Sequence, residues 1–408
     1  MTPGRRGGAG QALHLATARL AVMGLAALAA LLVARWLGSE DFGVYASGAA
    51  IVPLVLAVGY GGIDQLFFRD EVDREALPRL LARLATLVLA AGLLLALVMP
   101  GLEDRARVVA AVIFVGMAAE ISRAWWLLEC HRDGRLDIRG RRELGIRLVS
   151  TVALLGAVAV AAHPVAPAVG QAATSVLLLV LVTSRRRSRG RATPLRTSWT
   201  QLAAVLRKGS LYTATGAIQV LYLNMVGVLV ATMSTVEEAG QFRIAFGFFL
   251  MAVAIPVALN NDGFRSQLFA ARRDPQATRG LHVHFARVNV AAAAAAAAGV
   301  FFCSWVVVPL LLGEEFRGAV LPGYLLAAAM PATFLASYAL NVLVGADHTR
   351  AVVVVQVLGL LLLTALAAVW VPRDGAVGAA RTMLVAELAV AAAYCGLLLR
   401  YRRGAAAA

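Results

Sequence analysis

Long apolar runs alternate with short polar, arginine-rich stretches from one end of the chain to the other. In order, the runs predict helices over 13–33, 44–68, 80–99, 108–128, 144–162, 165–183, 211–233, 239–260, 285–312, 320–344, 351–371 and 376–399. Most are close to 20 residues, the length that crosses the hydrocarbon core of a bilayer as a helix. The chain therefore reads as an all-α integral membrane protein with about twelve transmembrane helices. The one broad break in the pattern is 184–208, which contains Arg185, Arg186, Arg187, Arg189, Arg191 and Pro194. It divides the chain into an N-terminal six-helix half (1–184), a basic linker (185–208) and a C-terminal six-helix half (209–408).

The polar turns repeat between the halves. Glu40-Asp41-Phe42-Gly43-Val44-Tyr45 returns 197 residues later as Glu237-Glu238-Ala239-Gly240-Gln241-Phe242. Both are two acids, a spacer, glycine, a spacer and an aromatic residue, flanked by apolar helices. A second anchor pairs Gly101-Leu102-Glu103-Asp104 with Gly313-Glu314-Glu315-Phe316, 212 residues on. The 15 extra residues are accounted for by the longer basic loop from Arg265 to Arg279. The pattern predicts two pseudo-symmetric bundles built from one ancestral unit.

Composition narrows the class without changing it. Apolar residues make up 60% of the 408, mean hydropathy is +0.77, and charged residues reach only 15%. Cys130, Cys303 and Cys395 are scattered and suggest neither a disulfide framework nor a metal cluster. The net charge of +15 would suit a nucleic-acid partner only if the cations shared a surface. Instead they sit in tracts between apolar runs. The two termini and the even-numbered connections carry 29 Arg and Lys, against 7 in the odd-numbered ones. The positive-inside rule then expects both termini and the linker in the cytoplasm. Six spans per half make the halves parallel repeats.

No sequence motif for catalysis appears. The P-loop pattern, H-E-x-x-H and G-x-S-x-G are all absent, so neither ATP hydrolysis nor these hydrolase chemistries are expected. His282 and His284 stand two apart and would face different sides of a helix, which disfavours a metal site. Asp70-Glu71-Val72-Asp73, beside Arg69, Arg74 and Arg79, reads as a charged cytoplasmic loop. The odd connections are short and leave little room for catalysis outside. No enzyme activity, cofactor or metal is expected.

Three segments carry a resemblance. Ala34-Arg35-Trp36-Leu37-Gly38-Ser39-Glu40-Asp41-Phe42-Gly43-Val44-Tyr45-Ala46 resembles the first-loop signature of polysaccharide flippases, the O-antigen type, in the multidrug/oligosaccharidyl-lipid/polysaccharide superfamily. Leu311-Leu312-Gly313-Glu314-Glu315-Phe316, with Ala319 after it, is similar to their ninth-to-tenth connection. Pro372-Arg373-Asp374-Gly375-Ala376-Val377-Gly378-Ala379-Ala380 is similar to the start of their twelfth helix. The three lie in the expected order. The resemblance implies flipping of undecaprenyl-pyrophosphate-linked oligosaccharide across the bacterial cytoplasmic membrane by alternating access. Membrane lipids, a polysaccharide polymerase and glycosyltransferases would be its neighbours, with no nucleic acid. Two alternatives remain open: a drug:cation antiporter of the same superfamily, and a non-catalytic membrane component of glycan assembly. The alanine run 291–298 departs from the family pattern and leaves the lining of the ninth helix undefined.

A carrier of a lipid-linked sugar needs cations for phosphates and hydrogen bonds for sugars inside a hydrated cavity. Ionisable residues within spans are therefore the informative ones. Arg19, in helix 1, either snorkels to the inner interface or meets substrate. Arg243, in the first turns of helix 8, is its counterpart near the outer side, and Arg35 belongs to the first-loop signature beside Trp36. Gln219 and Asn224 offer hydrogen bonds from helix 7. Glu120 and Arg123, three apart in helix 4, can pair with each other. Glu387 lies deep in helix 12 without a cation one turn away. It must find a cation elsewhere, line water, or stay protonated, and it is the coupling candidate.

Overall fold

The computed structural model describes residues 5–59, 63–68, 70–133, 135–188, 199–264, 267, 275–346 and 348–407. Among them there is no strand. Twelve helical segments follow one another, referred to below as spans 1 to 12. The helix Arg5–Ala50 holds span 1 and the start of span 2, and Gly38 breaks it with a φ of 76°. The helix Thr349–Ala407 holds spans 11 and 12, and Gly375 breaks it with a φ of 54°. Its apolar stretch Thr349–Arg400 has 52 residues, about 78 Å of helix, enough for two crossings of a core about 30 Å thick. Both breaks need a left-handed residue, which glycine adopts without a steric penalty.

Span 2 continues through Val52–Gly59 and Ile63–Phe68. Span 3 is Leu77–Val98, span 4 is Asp104–Arg123 with Trp125–Arg132, span 5 is Leu136–Val160 and span 6 is Ala166–Ser188. Span 7 is Trp199–Met233. Span 8 is Val236–Pro256 and ends in a π-helical stretch, Val257–Phe264. Span 9 is Pro275–Phe302 with a π-helical end, Cys303–Leu312. Span 10 opens as a 3₁₀ turn, Glu314–Ala319, and runs on through Val320–Gly345. The protein is a multi-pass helical membrane protein.

Three differences from the apolar pattern have physical causes. Span 2, expected unbroken over 44–68, is turned at Ile51 because Pro53 has no N–H to donate to the helix; a tight bond from Leu54 N to the Ile51 carbonyl (3.2 Å) closes that turn. Span 5 starts at Leu136, not 144, with Asp137 in its first turn where the helix dipole favours an acid. Span 7 starts at Trp199, so part of the basic stretch 185–208 is helical. Its first turns are tied down by Arg83, whose guanidinium lies 4.6 Å above the Trp199 ring, and by Lys208 paired to Glu71 at 2.6 Å.

The chain folds as two compact units, Met1–Asn224 and Met225–Ala408. In the first, span 4 is the central helix, packed against spans 3 and 6 and against the helix Arg5–Ala50. Close approach is achieved with small residues. A Cβ on Gly116 would stand 2.9 Å from the Ala172 backbone of span 6, and one on Gly92 of span 3 would overlap the Phe114 ring. In the second unit span 10 has the same role, packed against span 8, span 9 and the helix Thr349–Ala407. The repeat also extends to backbone conformation. Gly101 and Gly313, the second sequence anchor, both turn the chain with a left-handed φ, 75° and 79°.

Candidate functional site

The repeated acidic turns fasten connections within each unit. In the first, Arg105 donates to Glu40 and Asp41 at 3.1 Å each and to Glu103 at 2.7 Å, tying the 1–2 connection to the start of span 4. In the second, Thr235 caps span 8 by accepting from Glu238 N at 3.2 Å. The Glu238 carboxylate accepts from Ala376 N at 2.7 Å, immediately after the Gly375 break. The same motif therefore holds the start of span 4 in one unit and the start of span 12 in the other.

A second set of charges joins the even-numbered connections of the first unit. Asp70 pairs with Arg132, Arg74 with Asp133, and Arg139 with both His131 and Glu143. Arg142 lies over the Trp126 ring and donates to the Cys130 thiol. The acidic stretch Asp70 to Asp73 is thus exposed, as its sequence suggests, and its first two acids are engaged by ion pairs. Among the described residues, no group of three His, Cys, Asp or Glu side chains could hold a metal ion.

Polar groups inside the spans form two clusters. In the first unit, Arg123 is 5% exposed and its guanidinium stands 3.6 Å from Glu120, longer than a hydrogen bond, with Nε unpartnered. Glu120 also accepts from Ser175 of span 6 at 3.2 Å. A cavity of about 190 Å³ opens beside this carboxylate, lined by Val52, Gly116, Met117, Glu120, Gln171 and Ala172 among others. In the second unit, Asn260 of the π-helical stretch and Asn289 of span 9 exchange two amide hydrogen bonds, both 2.9 Å. Asn260 also donates to Ser337 of span 10 at 3.1 Å. Nearby, His282 meets the Tyr338 hydroxyl at 2.8 Å, while His284 is exposed.

The sequence-derived candidates are distributed as follows. Arg19 lies in the helix Arg5–Ala50, and its side chain is outside the described residues. Arg35 is exposed next to Trp36, itself 46% exposed. Gln219 is exposed, and Asn224 donates back to the Val220 carbonyl of its own helix at 2.8 Å. Arg243 is half-buried and engaged with a neighbour. Glu387 is 4% exposed and also engaged. Within the second unit, Arg243 and Glu387 stand about 10 and 17 Å along spans that both start from odd connections. Sequence reasoning gave no role to Arg105, Gln171, Ser175, Asn260 or Asn289. For the asparagines the signal was present, as amides interrupting apolar runs.

The fold is shared with known transporters. The lipid II flippase MurJ in an inward closed conformation superposes with a TM-score of 0.72 at 11% identity, covering 94% of this chain and 87% of that one. An inward-facing multidrug resistance MATE family transporter of the MOP superfamily gives 0.65 at 13% identity, with 95% of each chain covered. A eukaryotic MATE transporter gives 0.64 at 12%, covering 96% and 95%. Among curated proteins, no relative matches by sequence. At these identities the likeness establishes architecture alone, and the family comes from the sequence itself. The family model described as polysaccharide biosynthesis protein matches residues 32–321, more than half of the chain. With its helices in the architecture of the multidrug/oligosaccharidyl-lipid/polysaccharide superfamily, the chain belongs to the polysaccharide biosynthesis protein family.

Proposed function

We propose that the protein flips undecaprenyl-pyrophosphate-linked oligosaccharide across the bacterial cytoplasmic membrane by alternating access, with both termini in the cytoplasm. The observation that carries this reading is the family match over residues 32–321 on a chain that shares, over 94% of its length, the fold of a lipid II flippase. The arginine asymmetry between connections supports the orientation. MATE transporters share the architecture as fully, so the fold alone would admit a drug antiporter; the polysaccharide family favours the lipid-linked cargo. Arg19, Arg35 and Arg243 are the cations proposed for the pyrophosphate, with Gln219 and Asn224 as hydrogen-bonding groups and Glu387 as a coupling acid. Polymerase and glycosyltransferases would act on the same repeat unit.

Deleting the gene tests this directly. The expected outcome is loss of one surface polysaccharide while its lipid-linked repeat unit accumulates on the cytoplasmic leaflet. A repeat unit exposed normally outside, but left unpolymerised, would replace the flippase reading with one of glycan assembly.

A further inference from the structure

Glu120 stands about 24 Å from the start of span 4 at Asp104 and about 18 Å from its end at Arg132, near the middle of a core about 30 Å thick. A carboxylate there is costly unless paired or wetted. It is not sealed by its partner. Arg123 approaches only to 3.6 Å, Ser175 contributes one hydrogen bond, and the side chain, 41% exposed, lines the neighbouring cavity. That cavity has room for several waters, and Gln171 is also among the residues that line it. Residues 20–34, 42–59, 84–98, 148–160 and 166–184, which supply the neighbouring parts of spans 1, 2, 3, 5 and 6, contain no Asp, Glu, Lys, Arg or His. Arg123, on span 4 itself, is the charged group that stands next to Glu120.

We propose that Glu120 is a cation-coupling site, where a proton or sodium ion arriving through this cavity competes with Arg123 for the carboxylate. Sodium would take oxygens from Glu120, Ser175 and Gln171. A proton would convert the carboxylate to the neutral acid, with Arg123 keeping its own charge. Either event deprives a guanidinium that is already short of partners of its anion. Arg123 must then turn to water or another anion, and the balance between conformations of spans 4 and 6 shifts. The consequence for transport rests on the flippase reading; the cation site does not.

Trp125, buried two residues beyond Arg123, is the natural reporter. Purified full-length protein is titrated with acid at constant sodium, and separately with sodium chloride against choline chloride at constant pH, following tryptophan fluorescence. A saturable change that disappears in Trp125→Phe identifies the signal, and the titration that produces it identifies the cation. Glu120→Gln alone would leave Arg123 without an anion, so the decisive variant is Glu120→Gln/Arg123→Gln, checked for unchanged helicity. The response is expected to weaken at least tenfold there, and Ser175→Ala should shift its midpoint. An undiminished response in the double variant, or no response of the wild type to either cation, overturns the proposal. A cation response in a protein that moves no lipid-linked sugar leaves this site standing and refutes the transport reading instead.

Discussion

Gly116 and Gly92 show how much of this architecture depends on single side-chain volumes. Span 4 can serve as the central helix of the first unit only because hydrogen replaces a methyl where its Gly116 meets Ala172 of span 6 and where Gly92 of span 3 meets its Phe114. Helices in lipid gain no hydrophobic drive from packing together, so close van der Waals contact through small residues takes over that role. Gly116→Leu should therefore lower the thermal stability of the purified protein in detergent, with an overpacking cost of about 1–3 kcal/mol. Gly156→Ala is the matched control. That glycine lies in span 5 with nothing within 4 Å of the added methyl, so stability should stay level or rise by about 0.5–1 kcal/mol. Equal losses in both variants would mean that span 4 is not packed as described. The same scale explains why the signature acids stand out in sequence: Glu40, Asp41 and Glu238 each bind a group on a later connection. Their visible pattern reflects fastening, and it gives no direct information about substrate.

The elements were legible to the extent that hydrophobicity specifies them. Twelve apolar runs became twelve helical segments, and the glycines of the second anchor, Gly101 and Gly313, fell where the backbone turns left-handed, whereas Gly43 and Gly240 of the first lie within helices. Places where local chemistry overrides periodicity were not legible: the turn before Pro53, and the helical starts at Leu136 and Trp199 within basic sequence. The π-helical end of span 8 was hidden for a further reason. Its stability comes from Asn260 meeting Asn289 and Ser337, residues 29 and 77 positions away, and no local pattern announces such partners. Asn260→Ala should destabilise the second unit by about 1–3 kcal/mol, because a buried amide on span 9 loses its partner. Asn260→Leu/Asn289→Leu should cost less than the sum of the two single changes, since it removes both polar groups together. Strict additivity in a thermal-unfolding cycle would contradict the coupled pair.

At the scale of the molecule, class follows from averages that one sequence supplies well, namely apolar fraction and span length, and the bias of arginine toward alternate connections supplies the proposed orientation. The role of an individual charge depends on what faces it, and there the sequence offered alternatives for Arg19 and Glu387 without choosing among them. Glu120 is the clearest instance. From spacing it reads as half of an intrahelical pair, and only the geometry adds the cavity, the loose contact to Arg123 and the hydroxyl from span 6. Lipid-linked oligosaccharide translocation remains the claim on which the whole account turns. It is tested most directly with purified protein in liposomes that carry a fluorescent undecaprenyl-pyrophosphate-linked oligosaccharide in both leaflets, by adding a membrane-impermeant quencher outside. The account predicts that the quencher reaches the inner-leaflet pool in protein-containing vesicles and only the outer-leaflet pool in empty ones. An inner pool that stays protected in the presence of folded protein, under proton and sodium gradients of either direction, would contradict it.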